Sequence, residues 1–129
     1  LTTTTIKAHS TTLCATSSWN QTDITVAGGN GRGSVENQLG WTYDLALDSK
    51  QNLYVADNGN QRIQKYCANN SSPPLTLMTV GWLTVVFIDK YDNLYYAVNS
   101  FVYKLNMTSG VETIVAGNGV SGVGLNFCR

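Results

Sequence analysis

Histidine is almost missing from this chain, with one in 129 residues, and the three cysteines stand far apart. The lone His9 lies in a Thr-rich stretch with no nucleophile pattern beside it, so no Ser, His and Asp triad can be assembled. Cys14, Cys67 and Cys128 form no C-x-x-C pair and no metal-ligand spacing, which argues against zinc. Charge is scarce and balanced, eight basic residues against eight acidic ones, and no run of like sign occurs. An electrostatic footprint for nucleic acid or an anionic membrane surface is therefore missing. The longest weakly charged apolar stretch, residues 75–88, is interrupted by Thr76, Thr79, Gly81 and Thr84 and is too short to span a bilayer as a helix. No window sustains the i, i+3, i+4, i+7 apolar stripe of an amphipathic helix. The chemistry these absences leave is thin: no catalytic residue, cofactor or metal is assigned.

What is present is strand chemistry. Val, Ile, Thr, Tyr and Trp dominate, Gly and Asn punctuate, and 43% hydrophobic residues in 129 suffice for one core or part of a larger one. The clearest hairpin runs from residues 45–48 through a turn to residues 53–57, with Asp48 and Asn52 as turn residues. Asn58-Gly59-Asn60 then turns the chain into residues 62–66, and residues 75–80, after Pro73-Pro74, supply a fourth strand. Four short strands joined by tight turns make one blade-like meander.

The pattern repeats. A shift of 41 places Gly40-Trp41 on Gly81-Trp82, Asp48 on Asp89, Asn52-Leu53-Tyr54 on Asn93-Leu94-Tyr95 and Ala56 on Ala97. One turn then shortens by two, and a shift of 39 carries Ile63 onto Val102 and Lys65 onto Lys104. Val26-Ala-Gly-Gly-Asn-Gly31 is echoed by Val115-Ala-Gly-Asn-Gly119, whereas the middle unit omits the stretch corresponding to residues 27–39. A period near 40 predicts propeller blades rather than a sandwich.

Leu45-x-Leu-Asp48, Asn52-Leu-Tyr-Val-Ala-Asp57 and Asn60-Gln-Arg-Ile63, preceded by the Val-Ala-Gly-Gly-x-Gly opening, resemble an NHL repeat. In such repeats the third-strand motif reads Asn-His-Arg-Ile, and Gln61 stands here in place of the His. The second unit carries Val98-Asn-Ser-Phe-Val102 there, without the Asp and the Arg. The resemblance implies an all-β fold of four-stranded antiparallel propeller blades. Repetition divides the chain into a lead-in over residues 1–22, which ends a preceding blade, and blades over residues 23–129, with units at about 25–66, 75–105 and 111–129. That makes two and a half to three blades, an incomplete propeller, because closed rings use about four to eight. The remaining blades are expected from a longer chain or from self-association. A start without Met or an apolar signal core reads as a mature or excised segment.

Asp48, Asn52, Asp57, Asn60 and Arg62 are read as structural motif residues, with Asp57 and Arg62 joined by a charged hydrogen bond between strands. Gly28-Gly29-Asn30-Gly31-Arg32-Gly33 has glycine spacing reminiscent of a phosphate loop but opens no helix, and is read as an inter-blade loop. Asp48 to Asn52 and Asp89 to Asn93 are read as side-chain-capped turns rather than calcium loops, which need a terminal bidentate Glu. Arg32, Trp41, Tyr43 and Tyr54, with Trp82, form the candidate interaction surface for a protein or glycan ligand. The same tryptophans, at equivalent positions before a first strand, are also expected to pack between blades. Sequons at Asn20, Asn69, Asn70 and Asn106 are candidate glycosylation sites and point to an extracellular or secreted protein with one disulfide among its cysteines. The function expected is a non-catalytic binding scaffold, the alternative being part of an extracellular propeller enzyme of lyase or hydrolase type whose catalytic residues lie elsewhere.

Overall fold

A computed structural model of the chain describes residues 22–118. Eight strands follow in order: β1 Thr42–Leu47, β2 Leu53–Asp57, β3 Arg62–Tyr66, β4 Leu75–Thr79, β5 Leu83–Ile88, β6 Leu94–Val98, β7 Phe101–Leu105 and β8 Glu112–Ala116. They form two antiparallel four-stranded sheets, β1-β2-β3-β4 and β5-β6-β7-β8, each a meander of sequential neighbours. Short strands rich in β-branched and aromatic residues, mostly joined by tight turns, favour pairing between sequential neighbours.

The turns explain the strand breaks. Asp48 accepts hydrogen bonds from the Lys50 and Asn52 amides (3.0 and 2.8 Å), from the Asn52 side chain at 2.7 Å and from the Tyr54 hydroxyl at 3.1 Å. Asp89 repeats this pattern with Tyr91, Asn93 and Tyr95. Gln51 and Asp92 take the left-handed conformation that closes these turns, at φ 66° and 61°. Between β2 and β3 the chain makes a 3-10 turn, Asn58–Asn60, ended by left-handed Gln61. Between β6 and β7 only Asn99 and Ser100 remain, with Asn99 at φ 54°. This is the two-residue shortening read from the repeat.

Register puts Tyr54, Ala56 and Ile63 on one face of the first sheet, where they meet Leu83, Val86, Leu94 and Tyr96 of the second. This is the core. Contact runs from β1 and β2 onto β5, so the sheets meet along their first strands, as blades radiating from an axis do. Polar ties reinforce it: Asn58 Nδ2 donates to the Leu83 carbonyl at 2.7 Å, the Val86 amide donates to Asp44 at 3.1 Å, and the Ser49 amide to Asp92 at 2.8 Å. The opposite face of β1, carrying Tyr43, Leu45 and Leu47, is exposed, as are Val85 and Phe87 on the far face of the second sheet. These are the faces on which further blades would stack.

Repeat units and sheets are out of phase. Residues 112–116, read from repetition as the opening of a third unit, are β8, which pairs with β7 and completes the second blade. The reason is that sequence repetition marks a recurring segment without saying to which sheet its hydrogen bonds go. Two complete blades are therefore present among the described residues, and residues 1–21 and 119–129, including His9, Cys14, Asn20 and Cys128, lie outside them.

Candidate functional site

The densest polar construction lies at the end of the first blade where β2 turns into β3. Asp57 is fully buried, and its Oδ2 accepts from Arg62 Nε at 2.9 Å and from Asn60 Nδ2 at 2.7 Å, while its Oδ1 accepts the Gly40 amide at 2.9 Å. The Arg62 guanidinium donates onward to the carbonyls of Ser34 (2.8 Å), Val35 (3.1 Å) and Gln38 (2.8 Å) and to Thr76 Oγ1 at 3.4 Å. With Asp57 these satisfy all five of its N–H donors, the condition under which a buried guanidinium is tolerable. Gln64, also buried, donates to the Glu36 carbonyl at 2.7 Å and accepts from Thr76 at 2.8 Å. Asn60 reaches the Gly33 carbonyl at 2.9 Å.

The backbone carbonyls among these acceptors all belong to one segment, the loop over residues 28–40. It closes on itself through Asn30, which donates to the Gly28 and Asn37 carbonyls, and through Gln38, which donates to the Asn30 carbonyl. Gly28, Gly29 and Gly31 carry positive φ within it, and the chain passes from it into β1, not into a helix. The motif Asp57, Asn60 and Arg62 is thus a clasp that fixes the glycine-rich loop to its own blade. Gly59 is part of the same contact, since a Cβ there would come within 2.5 Å of the Trp41 amide nitrogen.

A groove of about 720 Å³ lies beside the clasp, lined by Ser34, Val35, Glu36, Asn37, Arg62, Pro73, Pro74 and Thr76. With every Arg62 donor already used, it offers a ligand little specific chemistry. The turn aspartates are equally committed. The cost of withdrawing water from Asp89 is outweighed by its bonds to the Asn93 side chain and to backbone amides, and its carboxyl titrates at about 2. Asp48 is likewise lowered, desolvation being overcome by the Asn52 and Tyr54 bonds. Burial and the Asp48 charge hold the Tyr54 hydroxyl well above its ordinary range, so it remains a donor. Among the described residues no group of three or more His, Cys, Asp or Glu side chains is placed to hold a metal ion, and no helix is long and apolar enough to cross a membrane.

The surface candidates separate. Tyr54 does not belong with them: it is 2% exposed, packed in the inter-blade core with Lys65 Nζ 5.4 Å from its ring centre. Alternation correctly sets it opposite Leu53 and Val55, but its face is the one packed against the second blade. Trp41 and Trp82, expected in part to pack between blades, instead stand 61% and 68% exposed, because they precede the strands and project from the blade end. Tyr43 is exposed, and the Arg32 guanidinium lies 4.4 Å from the Trp41 ring centre. The Trp41 carbonyl accepts from Gly59 and that of Trp82 from Asn99, so both tryptophans occupy the end of the blade pair marked by the β2–β3 and β6–β7 turns. Asn69 and Asn70 are exposed after β3, and Asn106 is half-buried, its Oδ1 accepting the Thr108 and Ser109 amides. Cys67 is half-buried at the end of β3.

Two radiating four-stranded blades tied by a repeated aspartate turn define a β-propeller-type protein. Residues 44–66, covering most of β1 to β3, match the family model described as NHL repeat. No curated protein matches the chain. Among solved structures, one described as "Streptogramin B lyase structure" is similar at 14% identity with a TM-score of 0.44, over 57% of this chain and 25% of that one. The chain therefore spans about a quarter of that protein's length, and the likeness carries no chemistry across.

Proposed function

We propose that this chain is a non-catalytic propeller segment that binds a protein or glycan ligand outside the cell through one end of its blades. The observation that carries the reading is the pair of exposed tryptophans, Trp41 and Trp82, on the same end of adjacent blades, the first stacked under Arg32. Exposed indoles cost free energy in water, and Trp, Tyr and Arg dominate the energetics of recognition surfaces. The four sequons favour an extracellular setting, and further blades, from a longer chain or from other copies, would cover the apolar faces at Leu45 and Phe87.

The chain, labelled and applied to arrays of immobilised glycans and of extracellular protein domains, is expected to give a discrete set of hits. Trp41→Ala with Trp82→Ala should weaken each hit at least tenfold while leaving the far-UV circular dichroism unchanged. Hits that survive the double substitution intact would sink the proposal. Expression in a glycosylating host should add glycan-sized steps to the intact mass of 14.0 kDa.

A further inference from the structure

The second blade has lost the loop and its clasp together. Its connection from β4 to β5 is three residues, 80–82, where the first blade is preceded by the loop over residues 28–40. In matching positions Asp57 becomes Val98, Arg62 becomes Phe101, and Gln64 becomes Tyr103. Register carries the comparison one strand further: Gln64 pairs with Thr76 on β4, and Tyr103 pairs with Ile114 on β8. A loop without its clasp would be unanchored, and a buried Arg without its loop would be a stranded charge, so the losses are physically coupled.

What remains is a cavity of about 280 Å³ between the blades, lined by Met78, Thr79, Val80 and Gly81 on one side and by Tyr96, Val98, Tyr103 and Glu112 on the other. Two of its lining residues, Val98 and Tyr103, stand at the positions of Asp57 and Gln64 in the first blade. Tyr96, buried, and Tyr103 stack with ring centres 5.3 Å apart at 14°, and the Tyr96 hydroxyl donates to Glu112 Oε2. Burial and the Glu112 carboxylate push that hydroxyl above its ordinary range, so it stays a neutral donor. Among the described residues no basic side chain lines the cavity, and its one acidic side chain is Glu112, which is exposed.

We infer that this inter-blade cavity is a binding site for a small organic cation, a guanidinium or primary ammonium on a short alkyl stem, with the head on Glu112 and the stem against Tyr103 and Val98. In the first blade the residues matching Val98 and Tyr103, Asp57 and Gln64, stand beside the chain's own Arg62 guanidinium, Asp57 bonded to it and Gln64 sharing Thr76 with it. The second supplies only the carboxylate and aromatic surface that would receive one. At about 280 Å³ the cavity lies just below the range of drug-sized ligand sites, about 300–1,000 Å³, which selects a ligand of side-chain size. This site is separate from the tryptophan-bearing end.

The test is a titration of the ¹⁵N-labelled 129-residue chain with n-butylguanidinium chloride, followed by amide shifts. Saturable shifts are expected at Gly81, Val98, Tyr103 and Glu112. The exposed Glu112→Gln should fold unchanged and weaken binding at least tenfold, whereas Glu36→Gln, at the first blade's groove, should leave it within twofold. 1-Butanol, the neutral counterpart, should give no saturable shift. Absence of saturable binding, equal binding of 1-butanol, or undiminished binding by Glu112→Gln would each overturn the assignment.

Discussion

At Arg62 five donors meet five acceptors in a nearly water-free place, and the arrangement is stable only as a whole. Arg62→Ala strands Asp57, which is fully buried, and frees three loop carbonyls. Removing one partner of a buried pair costs about 3–5 kcal/mol, and urea denaturation should show a loss in that range. Arg62→Lys should recover less than half of it, because an ammonium cannot fork to the Ser34, Val35 and Gln38 carbonyls while holding Asp57. Asp57, Asn60 and Arg62 could be picked out of the sequence as a structural group because they sit at motif positions. Their true acceptors, in residues 33–40, could not, since backbone carbonyls carry no side-chain signal.

At the scale of elements, the β1–β2 and β5–β6 turns are each built around one aspartate with the same four donors. Both carboxyls ionise more readily in the fold than in the unfolded chain, where Asp titrates near ~3.9. Their stabilisation is therefore complete above about pH 5 and is lost as pH falls through 4 toward about 2. Thermal melts should be flat on this account from pH 8 to 5 and decline below, and Asp89→Asn should flatten part of that acid limb. The hairpins differ more. Gly59→Ala drives a methyl into the Trp41 amide and should destabilise by about 1–3 kcal/mol, as overpacking does. Gly81→Ala, where the nearest atom is Val98 Cγ1 at 3.8 Å, should be close to neutral by the same denaturation measurement. The shortened turn and the missing loop were both legible from the 41- and 39-residue shifts. The cavity lined by Tyr96, Tyr103 and Glu112 was not, because it depends on which side chains the neighbouring blade brings to it.

At the scale of the whole molecule, two blades expose Tyr43, Leu45 and Leu47 on one flank and Val85 and Phe87 on the other. These flanks correspond to the two sides of the contact already formed between the blades: Leu45 matches Val86 and Ala46 matches Phe87 under the 41-residue shift. A chain bearing both halves of one interface associates head to tail. Sedimentation of the 129-residue chain should show concentration-dependent association, and Leu45→Lys with Phe87→Lys should return it to monomer. Of the three polar ties only that of Asn58, which matches Asn99, would carry over, because Asp44 and Asp92 match Val85 and Gln51, so this association should be weaker than the contact between the two blades.

The sequence by itself determined the strands, their turns, the repeat and the blade-type fold, because these rest on local chemistry: alternation, turn-capping aspartates, and residues that tolerate a left-handed backbone. Tertiary structure alone decided which aromatics are buried and which exposed. Tyr54 and Trp41 look alike in sequence, yet one is sealed by the next blade and the other stands clear of the blade end. It also decided that residues 112–116 close the second blade rather than open a third, because hydrogen bonds between strands follow spatial neighbours, and a repeat in sequence does not say which neighbour it will meet.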